Sequence, residues 1–297
     1  MGSSDKGKYL AALIGCGIGR SLTPALQEEE ARRHGLSLHY QLIDLDGLPE
    51  AAAALPTLLE AARLMGFCGL NITFPFKQAV VPLLDELSDE ALAIGAVNTV
   101  VFRGGRATGH NTDCSGWRWG FESTLPDADL TDVVLLGAGG AGSAIAHALL
   151  QMKTGHLSIY DTDGARAAAL TTELTRLRGK GRVVPVDSAG LLTHAMSKAS
   201  GLVNATPVGM AGLPGLPLPP RLLRPGLWVA EAVYFPLETE LLRLARTHGC
   251  ATVDGGTMAV GQAIGAFRHF TGLTADAARM KAHFGRLLAD RKDAQVS

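Results

Sequence analysis

Chemistry in this chain is best sought where ionisable and polar side chains stand beside signals for a strand end. Asn71-Ile72-Thr73-Phe74-Pro75-Phe76-Lys77 closes an apolar run with a proline and a lysine, and strand alternation sets Asn71 and Thr73 on one face. Asn111-Thr112-Asp113 adds a carboxylate further along. Active sites of open α/β sheets collect at strand ends. An amine and a carboxylate brought to one such edge could exchange a proton with a bound hydroxyl. Taken alone, Lys77 reads as a surface lysine opening a helix, and Asn111-Thr112-Asp113 as an Asx turn or N-cap. Ser21-Leu22-Thr23-Pro24 has the same double reading: two hydroxyls able to donate to an anion, or an N-cap ahead of a helix opening at Pro24.

A second chemistry is carried by backbone. Gly137-Ala138-Gly139-Gly140-Ala141-Gly142 follows a short apolar strand at 132–136 and opens a helical stretch at 143–152. That context turns Gly-x-Gly-x-x-Gly into a dinucleotide signature. Glycines permit the tight turn and let a pyrophosphate approach amides at the positive helix end. A glycine-rich turn without a ligand is the bland alternative, and the complete βαβ unit argues against it. Asp161 follows the next strand, 161 − 137 = 24 residues after the first glycine, close to the ~20 of the acid that holds the adenosine ribose. A carboxylate there accepts the ribose hydroxyls and repels a 2′-phosphate, which favours NAD over NADP. Arg166 pulls the other way: it could hold that phosphate, or merely solvate the helix beginning near Gly164.

These groups need scaffolds. Strands are expected at 9–14, 38–45, 69–73, 97–103 and 107–110, with helices at 24–34, 51–65 and from Phe76 onward. The alternation implies a parallel sheet. After Asp161 come helices at 165–178 and 237–247 and strands at 182–186, 201–204 and 228–232, the plan of a doubly wound nucleotide domain. Pro214, Pro217, Pro219, Pro220 and Pro225 keep 213–225 out of helices and central strands, leaving a surface loop. The charged tail at 290–297 reads as a solvated fray. The fold class is α/β with two domains. A substrate domain over 1–112 is completed by C-terminal helices at 253–297, and a Rossmann-type doubly wound nucleotide domain covers 113–252.

Composition bounds the partners. At 297 residues, 47% hydrophobic and 19% charged, the chain can bury two cores and place a cleft between them. Its 27 basic and 28 acidic side chains nearly cancel, so no long-range field gathers nucleic acid or anionic lipid. A small molecule is the expected partner. Cys16, Cys68, Cys114 and Cys250 form no Cys-x-x-Cys pair, and the histidines show no ligand spacing, so no metal site or disulfide framework is expected. Residues 1–6 lack an apolar signal core, Lys6 stands where a myristoylation motif needs Ser or Thr, and no apolar run is long enough to span a bilayer. A cytoplasmic location is expected.

In combination these motifs resemble, in order, those of the shikimate/quinate dehydrogenase family. They are Ser21-Leu22-Thr23-Pro24, Asn71 to Lys77, Asn98, Asn111-Thr112-Asp113, Gly137 to Gly142, Asn204-Ala205-Thr206-Pro207-Val208-Gly209-Met210, Tyr234, and Asp254-Gly255-Gly256-Thr257-Met258 ahead of Gln262. The resemblance runs from about Ile14 to Gly272. It implies an NAD(P)-dependent dehydrogenase acting on a hydroxylated ring carboxylate, with Lys77 and Asp113 as an acid/base dyad. Ser21 and Thr23 would bind the substrate carboxylate, and Asn71, Thr73, Asn98, Tyr234 and Gln262 the rest of the ring. Ala138, Gly140 and Ala141 of the glycine loop, with Thr206, Val233, Gly255 and Met258, would contact the cofactor. A lysine is a weak base at neutral pH unless burial lowers its proton affinity, whereas Asp113 would stabilise the ammonium and so serves best by orienting it.

Departures from the family pattern refine this. Many shikimate dehydrogenases carry Ser-x-Ser where Ser21-Leu22-Thr23 stands, a histidine at Arg20, and an Asn-Arg-Thr segment for NADP where this chain has Asp161-Thr162-Asp163. Thr23 and Asp161 resemble the NAD-dependent quinate/shikimate branch. Oxidation of quinate and shikimate with NAD is therefore expected, in aromatic amino acid biosynthesis or quinate metabolism. NADP-dependent action and an amino-substituted analogue stay open as alternatives, and a homodimer is an allowed assembly. A non-catalytic NAD sensor or a folate-linked dehydrogenase on the same plan would not need the Asn71–Lys77 and Asn111–Asp113 pairing.

Overall fold

A computed structural model describes residues 7–178 and 182–296. The segment 1–6, read above for targeting, lies outside the described residues, as does Ser297. The chain forms two compact units, Met1–Thr112 with Val260–Ser297, and Asp113–Ala259.

The first unit is built on β1 (Lys8–Gly15), α1 (Thr23–Arg33), β2 (Ser37–Asp44), α2 (Leu55–Leu64) and β3 (Gly69–Ile72), followed by β4 (Glu86–Leu87), α3 (Asp89–Ile94), β5 (Thr99–Arg103) and β6 (Arg106–His110). Strand order is β2-β1-β3-β5-β6-β4. β1 runs parallel to β2 and β3, as βαβ alternation dictates. The sheet is nonetheless mixed rather than parallel throughout, because β5 is antiparallel to both β3 and β6. Gly104 and Gly105, at φ 61 and 78, make the tight β5–β6 reversal that only glycine takes cheaply. Both faces of the central strands are covered, so their burial is continuous. Ala12, Ile14, Leu70 and Ile72 pack with Leu55 and Leu59 of α2 on one face. Ala11, Leu13, Tyr40 and Val101 pack with Ala266 and Phe270 on the other.

The helix expected from Phe76 is absent: the chain turns there and makes only a short 3-10 turn at Val81–Leu83. Pro75 and Pro82 interrupt this run, since each lacks an N–H and restricts the residue before it. Ala51–Ala54 likewise form a 3-10 turn, and α2 proper begins one residue before Pro56, where a missing N–H is harmless.

In the second unit α4 (Asp113–Thr124) precedes β7 (Asp132–Leu136), α5 (Gly140–Gln151), β8 (His156–Tyr160), α6 (Gly164–Arg178), β9 (Val183–Val186), α7 (Ala189–Lys198), β10 (Gly201–Asn204), β11 (Trp228–Glu231), α8 (Glu240–Thr247) and β12 (Ala251–Val253). All pairs are parallel, in the order β12-β11-β10-β7-β8-β9. The chain winds outward from β7 to β9, then returns to β10 on the opposite side. β7 and β10 therefore flank the switch point where α/β sheets bind dinucleotides. Helix α8 starts later than its pattern suggests because Thr239 caps it, its Oγ1 accepting Leu242 N at 3.3 Å. The Pro-rich segment is irregular, yet Leu218 and Leu223 from it are buried in the core with Leu202 and Val229. At the base of the sheet, Trp228 covers Gly201, where a Cβ would fall 2.0 Å from the indole. Phe121 of α4 meets that indole edge-on at 4.8 Å.

The last helices are α9 (Gly255–Thr271) and α10 (Ala277–Val296). The handover to the first unit falls inside α9, at Val260, rather than at 253. The first turn of α9 stays with the second unit because Gly255 lies against the Val233 carbonyl and Thr257 against Gly120. The tail expected to fray is helical through Val296. Glu30 of α1, 1% exposed, receives Arg279 of α10 through Nε at 2.8 Å and Nη2 at 2.6 Å. Gln27 Nε2 donates to Ala263 O of α9 at 2.9 Å. Among the described residues no helix is long and apolar enough to cross a membrane.

Candidate active site

The polar side chains of the first unit gather at the C-terminal ends of β1 and β3 and the start of β5. Asn71 and Asn98 share one buried network. Asn71 Oδ1 accepts Tyr40 Oη at 2.7 Å, while its Nδ2 donates to Asn98 O at 3.1 Å and Thr99 Oγ1 at 3.0 Å. Asn98 Oδ1 accepts Thr112 N at 2.8 Å, and Asn98 Nδ2 donates to Thr112 Oγ1 at 3.0 Å. Both amide protons of Asn71 are therefore committed within the unit. What remains for a ligand is an Oδ1 lone pair of Asn71 and one amide proton of Asn98.

Thr73 lies against Gly15, where a Cβ would fall 2.3 Å from its methyl carbon, so only glycine lets β1 end so close. Lys77 is half-buried, and its carbonyl accepts Val97 N at 2.8 Å, next to Asn98. Ser21 Oγ donates to Thr23 Oγ1 at 3.0 Å and accepts Thr23 N at 3.3 Å. The loop carrying Ser21 is held by Asp44, whose two carboxylate oxygens accept Gly17 N at 2.9 Å and Gly19 N at 3.0 Å. Gln262 is half-buried on α9, beside the Ala263 carbonyl that anchors α1. Asp113, buried, opens α4 in the second unit.

The glycine loop has the features of an anion cradle. Gly137 adopts φ +96, and a Cβ on it would fall 2.9 Å from the Ala205 backbone. A Cβ on Gly142 would fall 2.0 Å from Gly137 O, so strand and helix meet more closely than any side chain permits. Gly139 caps α5 without a side-chain bond, and a Cβ there would meet nothing within 4 Å. The amides of Gly140, Ala141 and Gly142 precede the bond from Ser143 N to Gly139 O at 2.8 Å, and so face outward at a positive helix end. This open, backbone-lined cradle fits the pyrophosphate of a dinucleotide.

Asp161 stands over the loop: its Oδ2 accepts Ala138 N at 2.7 Å and its Oδ1 accepts Asp163 N at 2.9 Å. Arg166, the rival ligand for a 2′-phosphate, is paired with Asp163 at 3.2 Å on the exposed start of α6. Thr206 and Val233 follow β10 and β11, Met258 lies buried in the first turn of α9, and Tyr234 is half-buried.

With these two sites in place, similarity to known proteins decides the family. Residues 13–100 match the shikimate dehydrogenase substrate binding domain. Over 279 residues the chain is 57% identical to a shikimate dehydrogenase (NADP(+)) of Streptomyces avermitilis, covering 94% of this chain and 96% of that one. The chain belongs to the shikimate/quinate dehydrogenase family. It is 48% identical to a quinate/shikimate dehydrogenase (NAD(+)) of Corynebacterium glutamicum, covering 93% of this chain and 97% of the relative. The solved quinate dehydrogenase from that species, in complex with NAD, matches with a TM-score of 0.86 at 47% identity, covering 94% of this chain and 99% of that one. As a shikimate/quinate dehydrogenase family member, the chain is an oxidoreductase acting on a CH–OH group with a nicotinamide cofactor.

Several residues that organise this family's site here were not singled out by motif spacing. Tyr40 and Thr99 bond the amides of Asn71 and Asn98, and Asp44 sets the Ser21 loop; Thr112, which also bonds Asn98, stood inside the Asn111-Thr112-Asp113 motif. Glu231 does similar work in the second unit. Its signal was a lone carboxylate ending the apolar strand Trp228-Val229-Ala230-Glu231.

Proposed function

We propose that this enzyme oxidises one ring hydroxyl of quinate and of shikimate to the 3-dehydro ketone, reversibly, with NAD. The observation that carries the cofactor choice is Asp161, a carboxylate fixed over the glycine loop through Ala138 N at 2.7 Å. A fixed negative charge there accepts ribose hydroxyls and repels a 2′-phosphate. Bound at Gly137 to Ala141, Asp161, Thr206, Val233, Gly255 and Met258, NAD would supply the hydride acceptor.

The chain's own side chains do the rest. Thr23 donates its hydroxyl proton to the substrate carboxylate, joined by Ser21 on rotation of its hydroxyl. Asn71 Oδ1 accepts from one ring hydroxyl and the remaining Asn98 amide proton donates to another, with Thr73, Tyr234 and Gln262 completing the ring contacts. Leaving such buried polar groups unpaired is costly, which rejects rings lacking the hydroxyls. Lys77 Nζ would take the proton of the reacting hydroxyl as the carbonyl forms, with Asp113 the second member of the dyad that the family resemblance implies. Quinate differs from shikimate by water added across the ring double bond, a change small enough for one pocket to take both.

NADP is the second reading, favoured by the Streptomyces avermitilis relative, whose name specifies NADP(+) at 57% identity. Initial rates of reduced-cofactor formation, crossing quinate and shikimate with NAD and NADP, separate the two. Activity with NAD that falls about 100- to 10,000-fold in Lys77→Ala supports the proposal. Turnover of none of the four pairs refutes the substrate assignment, and a preference for NADP refutes the cofactor choice.

A further inference from the structure

Glu231 ends β11 and is 1% exposed. Donors from three segments converge on it: Asn204 Nδ2 at the end of β10 reaches Oε1 at 2.9 Å, Val233 N reaches Oε1 at 3.1 Å, and Thr239 Oγ1, the cap of α8, reaches Oε2 at 3.1 Å. Asn204 passes the constraint on. Its Oδ1 accepts Thr206 N at 3.1 Å and Thr206 Oγ1 at 2.7 Å, and its Nδ2 also donates to Val208 O at 3.0 Å. Val233 passes it further, because its carbonyl lies where a Cβ on Gly255 would fall, at 2.3 Å. One buried carboxyl group thus ties together the segments after β10 and β11 and the start of α9.

Those segments lie at one end of the dinucleotide crevice. The glycine loop after β7 and Asp161 after β8 mark the pyrophosphate and adenosine side, so β10 and β11, across the switch point, carry the other half. An apolar residue would fill the end of β11 more cheaply. Burial pushes the Glu231 carboxyl up to about 7 against the pull of the Val233 amide, Asn204 and Thr239, so keeping an acid there works against solvation.

We propose that Glu231 is a positioning residue for the nicotinamide half of the cofactor, holding Thr206, Val233 and Gly255 in place through its bonds to Asn204 and Val233. This rests on the reading of the second unit's crevice as the cofactor cradle. Glu231 itself touches neither cofactor nor substrate in this role.

The test compares Glu231→Met, which keeps the volume but removes the acceptors, with Glu231→Gln. The glutamine oxygen can take both Oε1 bonds and its amide can donate to Thr239 Oγ1. Expected for Glu231→Met is a rise of about tenfold or more in KM for the cofactor with KM for quinate within about threefold of wild type, and for Glu231→Gln both values near wild type. The cofactor dissociation constant, from fluorescence titration with NADH or NADPH, should follow the cofactor KM. A cofactor KM unchanged in Glu231→Met, equal impairment of the two variants, or both KM values rising together overturns the proposal. If Glu231→Met does not fold, Thr239→Val decides: it withdraws the bond to Oε2 together with the α8 cap to Leu242 N, so the melting temperature reads the lost cap, while a cofactor-specific rise in KM supports the proposal and none overturns it. A wild type that binds NADH but turns over none of the four substrate pairs refutes the substrate reading and leaves this test standing. A wild type that binds neither NADH nor NADPH refutes both.

Discussion

Replacing Asp161 with asparagine separates two jobs of one side chain. Its two oxygens each accept one backbone amide, Ala138 N at 2.7 Å and Asp163 N at 2.9 Å. Asparagine keeps one acceptor and turns an NH2 toward the other amide, donor against donor. Losing one hydrogen bond to a charged group costs about 1.5–3 kcal/mol. That loss is present with or without cofactor, so it appears as a lower melting temperature. The charge acts separately. Two unit charges about 4 Å apart interact by about 1 kcal/mol in bulk water and about 4 at an effective dielectric of 20. For the half-buried Asp161 we take about 1–2 kcal/mol of repulsion against a 2′-phosphate. Its removal should raise the ratio of kcat/KM with NADP to kcat/KM with NAD about 5- to 30-fold. Initial rates with each cofactor at saturating quinate or shikimate read that ratio, and thermal denaturation reads the loop. A lowered melting temperature with a ratio changed less than about twofold would refute the reasoning: the carboxylate would then brace the glycine loop without facing the ribose.

Two further predictions concern the first unit. Arg279→Ala leaves the buried Glu30 carboxylate without its bidentate partner, and should cost about 2–4 kcal/mol by urea unfolding. Burial raises the Glu30 carboxyl, but Arg279 and the Asp276 amide outweigh it and hold it below its usual 4.5. A depressed carboxylate stabilises the fold above the unfolded value and loses that contribution as pH falls through the folded one. The gap between wild type and variant should therefore narrow below about pH 4.5, and a gap independent of pH would count against the ion pair. His269 is stacked on His110 at 4.0 Å. Burial first, then His110, Arg268 and Arg103, bring His269 down to about 4 from 6.5. A base depressed in the fold stabilises it above the unfolded value, so wild type should lose stability as pH falls from about 6.5 toward 4. His269→Phe keeps a ring on His110 and should flatten that part of the melting-temperature profile. An equally steep profile in the variant would place the titration elsewhere.

Local chemistry was legible in the sequence because the residues involved are neighbours in the chain. The run from Gly137 to Gly142 between a strand and a helix specifies its own turn, since the φ of +96 at Gly137 and the 2.0 Å approach at Gly142 demand glycine wherever the unit sits. Asp161 was legible by its distance from that loop, and the β5–β6 reversal by Gly104-Gly105. Strands β7 to β11 followed from apolar periodicity, which a parallel sheet covered on both faces enforces strand by strand, whereas α4, α7 and β12 were not expected from the sequence.

Tertiary structure decided which polar side chains face one another. Nothing in the spacing of Asn71 and Asn98 says that both amide protons of Asn71 go to the Asn98 carbonyl and Thr99, 27 and 28 residues away. That assignment follows from the antiparallel register of β3 and β5, and a one-residue slip would turn every side chain to the opposite face. Glu231 shows the same limit. As a carboxylate at the end of an apolar strand it is merely unusual, and becomes the joint of three segments only when β10, β11 and the cap of α8 meet around it. Sequence alone therefore determined the family, the two kinds of chemistry and the backbone cradle. Which polar groups pair with one another inside the fold was settled by strand register and burial, because hydrogen-bond partners are chosen by proximity in space rather than along the chain.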